Sequence, residues 1–80
     1  MKILDTNLLT IGEDLRKARL SKNFSRKQLS IKARVNINTV DNYEYFRRLP
    51  RLDVLASVAQ ALDIDEIRID TRKGGGRYGA

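Results

Sequence analysis

The chain has 80 residues, with 16 Lys and Arg against 10 Asp and Glu, and therefore a net charge of +6. It contains no Cys and no His, which excludes disulfides, thiolate nucleophiles, Cys/His zinc sites and His-based acid–base catalysis. This length predicts one small domain without a separate sensor or catalytic domain. We expect a cytoplasmic protein, because the sequence has neither a signal peptide nor the run of about 20 apolar residues that a membrane span needs.

The first predicted elements are an N-terminal arm or short strand over residues 1–10 and a helix over about residues 11–22. Thr10 and Glu13 have the spacing of a capping box, which favours a helix start at this point. Asn23 follows the helix and suits the left-handed conformation that often ends one. The inward face of this helix consists of Ile11, Leu15 and Ala18, at helical spacing.

Two short helices joined by a tight turn are predicted next. Ser25 and Gln28 form a second capping box, so a helix should begin at Arg26. Asn36 is placed to cap the following helix, whose inward residues are Val40 and Tyr43. The outward residues of that second helix are then Ile37, Asn38, Asp41 and Asn42.

Those outward side chains have the chemistry of base-edge recognition in a DNA major groove. Asn presents a donor and an acceptor that match adenine, and Ile can contact a thymine methyl group. Residues 16–51 hold 11 Lys and Arg but only two acids, so this segment carries +9 while the rest of the chain is acidic. A charge concentrated in this way is typical of a protein that binds a polyanion.

The segment after Pro50 begins with strong helical patterning over residues 52–62, although Arg51 is a poor cap for it. Residues 64–73 are ambiguous: alternating apolar and charged residues favour a strand, which could pair with residues 2–4 within the monomer or across a dimer. The alternative is a short fifth helix over residues 65–69. Residues 71–80 are predicted to be a flexible, basic, Gly-rich tail. A second interpretation of the tail is an arm that tracks phosphates or a minor groove with Arg72, Lys73 and Arg77.

With these residues placed, the chain resembles the phage-repressor and Cro-like (XRE-type) helix-turn-helix family from about Ile11 to Ile67. The resemblance implies an all-α, compact four- to five-helix bundle of the lambda-repressor-like DNA-binding type, with room for a short ribbon from the terminal segments. The DNA-binding domain would span residues 11–70, with the helix-turn-helix at about 25–45. The residues that fall at the family's spacing are Leu15, Arg16, Ala18, Arg19, Ser25, Leu29, Val35, Val40, Glu44, Pro50, Leu55, Ala59 and Leu62.

The resemblance also implies roles for single residues. Arg19 would pair with Glu44 and tie the first helix to the recognition helix, although a phosphate contact by Arg19 is the alternative. Ile37 would lie at a base edge or, alternatively, pack on its own domain. The expected base contacts are Ile37, Asn38, Asn42 and Arg26. The expected phosphate contacts are Ser25, Lys27, Thr39, Arg47, Arg48 and Arg51.

Three residues depart from the family pattern, each where Gly is common. Arg34 occupies the turn position, so the turn either avoids a positive φ or is strained. Phe46 follows the recognition helix, which indicates a longer helix or an altered loop. The third is Asp63, at the position just before Ile64.

The function that these features favour is sequence-specific binding of double-stranded DNA by a homodimeric repressor on a pseudo-palindromic operator. A small restriction-modification controller fits the size. The alternative is an antitoxin-like module that binds a protein partner as well as its own promoter. We expect no enzymatic activity, cofactor, membrane association or small-molecule ligand. We also expect no metal, because the acidic residues near the C-terminus lack the spacing of a calcium loop. RNA binding is not favoured, since the sequence offers no aromatic stacking platform.

Overall fold

Four helices lie between two short strands in the computed structural model, which describes residues 1–72. The elements in chain order are β1 (Ile3–Asn7), α1 (Ile11–Ser21), α2 (Arg26–Ala33), α3 (Ile37–Glu44), α4 (Leu52–Ala61) and β2 (Glu66–Asp70). The segment that could have been a strand or a fifth helix is a strand, as the alternation of its side chains favoured. Residues 1–72 are thus mainly helical but not all-α. Lys73, Arg77 and most of the proposed basic tail lie outside the described residues.

The two strands form a parallel sheet within one chain, with Leu4 opposite Ile67 and Thr6 opposite Ile69. Leu4 and Ile67 are partly buried against the core. The ribbon left open by the sequence therefore forms inside the monomer, because one apolar residue from each strand covers the same end of the helical core. At the start of the ribbon the Lys2 carbonyl accepts a hydrogen bond of 2.8 Å from the Asp65 N–H.

The start of α1 differs from the prediction. Thr10 is the N-cap, but its side chain caps no backbone N–H; its hydroxyl donates instead to Asp14 Oδ2 at 2.9 Å. Asn7 Oδ1 accepts from the N–H groups of Leu9 and Thr10. The predicted Thr10–Glu13 capping box was wrong: the Thr10 hydroxyl donates to Asp14, one turn into the helix, and the Thr10 N–H that Glu13 would have bound donates to Asn7.

The two helices that follow begin as predicted. Ser25 Oγ accepts from the Gln28 N–H at 3.0 Å while the Gln28 side chain accepts from the Ser25 N–H at 2.7 Å, which completes a capping box. Asn36 Oδ1 accepts from the Asn38 N–H at 2.7 Å and caps α3. Asn23, between α1 and α2, has a φ of 60°. The local rules of helix capping therefore fix the starts of both α2 and α3.

The core lies between the helices and is closed on one side by α1 and α3. Its fully buried side chains are those of Leu15, Leu29, Val40, Tyr43, Val58 and Leu62. Gly12 is a point of close approach between α1 and α3, because a Cβ there would overlap the Tyr43 carbonyl oxygen. A glycine is required at this contact, because any side chain would force the two helices apart.

The departures from the family pattern have direct structural consequences. Arg34 and Asp63 both keep the left-handed backbone that Gly would adopt, each with a φ of 58°. The α3 helix is not longer, since it ends at Glu44. The connection after it instead turns through a positive φ of 56° at Arg47, one residue beyond Phe46. Non-Gly residues pay a steric cost in this conformation.

Candidate nucleic-acid interface

The N-terminal half of α3 presents polar and apolar groups to solvent. Ile37 and Asn38 are exposed, and Asn42, one turn further on, is half-buried. On the opposite face Val40 and Tyr43 are buried in the core. The Asn38 backbone N–H donates to the Asn36 cap, whereas the Asn38 side chain is exposed to solvent. The structure thus groups three of the four predicted base-contact residues on one face of α3.

A buried ion pair fixes this helix to α1. Arg19 donates from Nε to Glu44 Oε2 and from Nη2 to Glu44 Oε1, both at 2.9 Å, and the Glu44 side chain is 0% exposed. The third guanidinium nitrogen, Nη1, donates to the Phe24 carbonyl at 2.7 Å. The pair expected from the family resemblance is therefore formed, and it also holds the turn between α1 and α2. A bidentate pair of this kind fixes orientation as well as distance.

The charge state of Arg19 follows from this contact. Hydrogen bonding to Glu44 raises the pKa of Arg19 above its ordinary value, although burial acts in the opposite direction. The guanidinium is therefore charged at every accessible pH. Because it is directed inward and only 5% of the residue is exposed, its geometry leaves no side for a DNA phosphate.

Arg26, the fourth predicted base-contact residue, is held by the protein itself. Its Nη1 donates to Asp41 Oδ1 on α3 at 2.5 Å, and its guanidinium lies 5.1 Å from the centre of the Tyr45 ring. The hydrogen bond to Asp41 raises the pKa of Arg26. Sequence reasoning missed this bridge between α2 and α3, since two residues 15 positions apart carry no local spacing signal.

Exposed basic side chains lie on the two segments that adjoin α3 in the chain. Lys27 on α2 is exposed, as are Arg47, Arg48 and Arg51 in the connection to α4. The Arg48 N–H donates to the Asn42 carbonyl at 2.9 Å, so this connection folds back onto α3. Arg51 also forms an ion pair with Asp53, with 3.1 Å between Nη2 and Oδ2. The two remaining phosphate candidates lie beside helix starts: Ser25 caps α2, and Thr39 is half-buried in the first turn of α3.

A family model described as helix-turn-helix matches residues 15–69. The chain belongs to this XRE-type helix-turn-helix family. It is also similar to a solved structure, the restriction-modification controller protein C.AhdI from Aeromonas hydrophila, at 29% sequence identity and a TM-score of 0.67. That match covers 72% of this chain and 88% of the other. No curated protein matches the chain at a significant level.

The family and the geometry agree on the kind of protein. This helix-turn-helix chain is a DNA-binding transcriptional regulator. Within residues 1–72 no group of three or more acidic side chains could hold a metal ion. No helix in the same range is long and apolar enough to cross a bilayer.

Proposed function

We propose that the protein is a sequence-specific repressor that binds a pseudo-palindromic operator as a homodimer, with α3 in the major groove. The observation that carries this proposal is the exposed pair Ile37 and Asn38 at the capped start of α3. A helix that enters the groove by its N-terminal end reads bases with its first residues. The bidentate Arg19–Glu44 pair supports this role because it fixes the orientation of α3 relative to α1.

The proposed base contacts divide by chemistry. The Asn38 amide can donate to and accept from one adenine, whereas Ile37 offers only apolar contact with a thymine methyl. Asn42 is half-buried and lies one turn further along α3, so it would contact a base deeper in the half-site. Arg26 would read a guanine only after releasing Asp41, and we therefore assign it a positioning role on α3 with base contact as its second possibility.

The proposed phosphate contacts flank these residues on both sides. Lys27 and the N–H groups at the start of α2 would hold one strand backbone. Arg47, Arg48 and Arg51 would hold the backbone beyond α3. The domain that carries these contacts would comprise residues 11–70, with residues 1–10 as the strand that closes it.

Two-fold pairing follows from the number of base contacts. One copy offers about three base-reading side chains, which is too few for useful selectivity against a genome. Pairing doubles the contacts and requires half-sites about 10 bp apart, centre to centre. The similarity to C.AhdI favours a restriction-modification controller, and occupancy of the operator would then follow the concentration of the protein itself.

Selection of bound duplexes from a random library at physiological salt tests this function. We expect an enriched inverted repeat with half-sites about one helical turn apart. Binding without an enriched motif, which fades as salt rises, would instead indicate a charge-driven binder whose specificity lies in a protein partner, as in an antitoxin.

Two variants separate the proposed roles. Asn38→Ala should relax base preference at one operator position by about 1–3 kcal/mol and leave the salt slope unchanged. Arg48→Ala should weaken binding to all sequences alike and reduce the salt slope by about one unit. Gln60→Ala is the matched control, because it removes an exposed amide from α4. Equal effects of both test variants on every sequence would contradict this division.

A further inference from the structure

Neither outer edge of the two-stranded sheet pairs with a further strand among residues 1–72, and one of these edges belongs to β2. The β2 strand pairs along one edge with β1, and no other strand in residues 1–72 lies on its second edge. Exposed strand edges present N–H and C=O groups to which another strand can bind. The homodimer proposed above needs a contact surface, and β2 can supply one if its sequence is suited to pairing with itself.

The residues of β2 alternate strictly between charged and uncharged. Because successive strand side chains point to opposite faces, the charged ones share one face and Ile67, Ile69 and Thr71 share the other. Along the charged face the sign changes at every step. The order is Glu66, Arg68, Asp70 and then Arg72, which lies in the turn just after the strand.

This order is self-complementary in one antiparallel register. If Ile69 of one copy lies opposite Ile69 of a second, Arg68 faces Asp70 and Glu66 faces Arg72. Four pairs of opposite charge result, two of each kind. On the other face the two Ile69 side chains, each 38% exposed in the monomer, cover one another. Opposite charges and apolar pairs directly across two strands are both favourable.

Neighbouring registers lack this match. Centring the pair on Arg68 sets that residue against itself and Glu66 against Asp70, so like charges face one another. Centring it on Ile67 sets Arg68 against Glu66, which gives two pairs of opposite charge instead of four, and leaves Ile69 opposite the carboxylate of Asp65. Like charges directly opposite are destabilising, and the charge order therefore selects Ile69 as the centre.

The monomer already holds the charged side chains along this face. Arg68 Nε lies 3.2 Å from Glu66 Oε2, and Arg72 Nε lies 3.3 Å from Asp70 Oδ1. All four side chains remain at least one-third exposed. In the antiparallel register each carboxylate would gain a second guanidinium from the other copy without giving up its own.

We propose that two copies dimerise through antiparallel pairing of their β2 strands about Ile69, giving one four-stranded sheet in the order β1–β2–β2–β1. This inference rests on the homodimer of the proposed function. A competing surface is the apolar group near the α3–α4 connection: Phe46, Leu49 and Leu52 are 68%, 57% and 82% exposed. It has no charge pattern that specifies a partner, and the experiment below includes it.

Cysteine cross-linking tests the register, since the natural chain contains no Cys. Residues directly opposite in an antiparallel pair have Cα atoms about 4.5–5.5 Å apart, within the range of a disulfide. Ile69→Cys should therefore form a disulfide-linked dimer under mild oxidation. Thr71→Cys alone should not, because the two copies of residue 71 would be about 13 Å apart. The double variant Ile67→Cys/Thr71→Cys should cross-link again.

A charge exchange tests the same contact without touching the apolar face. An acidic variant, Arg68→Glu/Arg72→Glu, and a basic variant, Glu66→Arg/Asp70→Arg, should each weaken self-association by about tenfold or more. An equimolar mixture should recover the affinity of the natural chain. Circular dichroism of each variant shows whether the helices remain folded, and sedimentation equilibrium gives the dissociation constants.

The outcomes separate the two proposals. A dimeric chain that cross-links through Leu52→Cys but not through Ile69→Cys would overturn the β2 interface and leave the homodimer intact. Unchanged affinity of the acidic and basic variants would overturn it as well. A chain that stays monomeric at all concentrations, and that selects no inverted repeat from the random library, would overturn the homodimer itself.

Discussion

Replacing Glu44 by Gln tests the buried anchor of the recognition helix. The substitution keeps the shape of the side chain but removes its charge, so Arg19 remains 95% buried without a counter-charge. One of the two 2.9 Å bonds can still be accepted by the amide oxygen, whereas the amide NH₂ faces a donor. Removing one partner from a buried pair costs about 3–5 kcal/mol, and the retained bond places this variant near 3 kcal/mol.

That loss is large for a domain of this size. At about 0.05–0.15 kcal/mol per residue, the whole chain has a free energy of unfolding of roughly 4–12 kcal/mol. With a urea m value of about 1 kcal/mol/M, the midpoint of urea unfolding should fall by about 3 M. Asp53→Asn is the matched control, since it neutralises the exposed Arg51–Asp53 pair and should cost less than about 1 kcal/mol.

Equal midpoints for the two variants would refute this account of the anchor. A further comparison separates pairing from packing. Replacing both partners, as in Arg19→Met/Glu44→Met, removes the charges together and should be less destabilising than Glu44→Gln alone. If the double variant were the worse of the two, the shape of the pair and its bond to the Phe24 carbonyl would outweigh the uncompensated charge.

Three other substitutions test separate parts of the domain. The Tyr43 hydroxyl is buried with no hydrogen-bond partner among residues 1–72, so Tyr43→Phe should raise the free energy of unfolding by about 1 kcal/mol; a loss would reveal a hidden partner. Burial raises the pKa of Tyr43 above its ordinary value, so above about pH 10 the unfolded state releases its proton first and stability falls by up to about 1.4 kcal/mol per pH unit. Urea titrations at several pH values should show that this part of the fall disappears in Tyr43→Phe. Arg34→Gly should stabilise by about 0.5–1 kcal/mol, because glycine adopts the left-handed φ of 58° without steric cost. The control Lys32→Gly, inside α2, should destabilise by a similar amount. Gly12→Ala should lower the melting temperature and cost about 1–3 kcal/mol, since its Cβ overlaps the Tyr43 carbonyl oxygen. A gain in stability there would mean that α1 can shift freely.

Local signals predicted most of the helices. The Ser25–Gln28 and Asn36 caps are both present, and the predicted inward residues Val40 and Tyr43 are buried. Of the residues predicted to face outward, Ile37 and Asn38 are exposed, whereas Asp41 and Asn42 are half-buried. The same rule failed at Thr10, because capping statistics do not reveal that Asp14 competes for the hydroxyl. A spacing rule predicts a possible bond, and tertiary contacts decide whether it forms.

Long-range features were less accessible from sequence. Alternation favoured a strand at residues 66–70, but nothing local showed that β1 would pair with it in parallel. The Arg26–Asp41 bridge was missed for the same reason. Arg34 was recognised as unusual, yet only the structure shows that it keeps the left-handed turn at a steric cost instead of changing the turn. The assigned DNA contacts stay predictions.

Because the parallel sheet joins the two ends of the domain, the fold can be completed only late in synthesis. Lys2 meets Asp65, 63 positions later in the chain, so the first strand leaves the ribosome long before its partner exists. At about 5–20 residues per second this interval lasts roughly 3–13 s, long enough for the helices between the strands to form. A chain that stops between residues 45 and 65 would thus display α3 while the ribbon that seals the core is missing. The last strand to be made is the one that completes the domain.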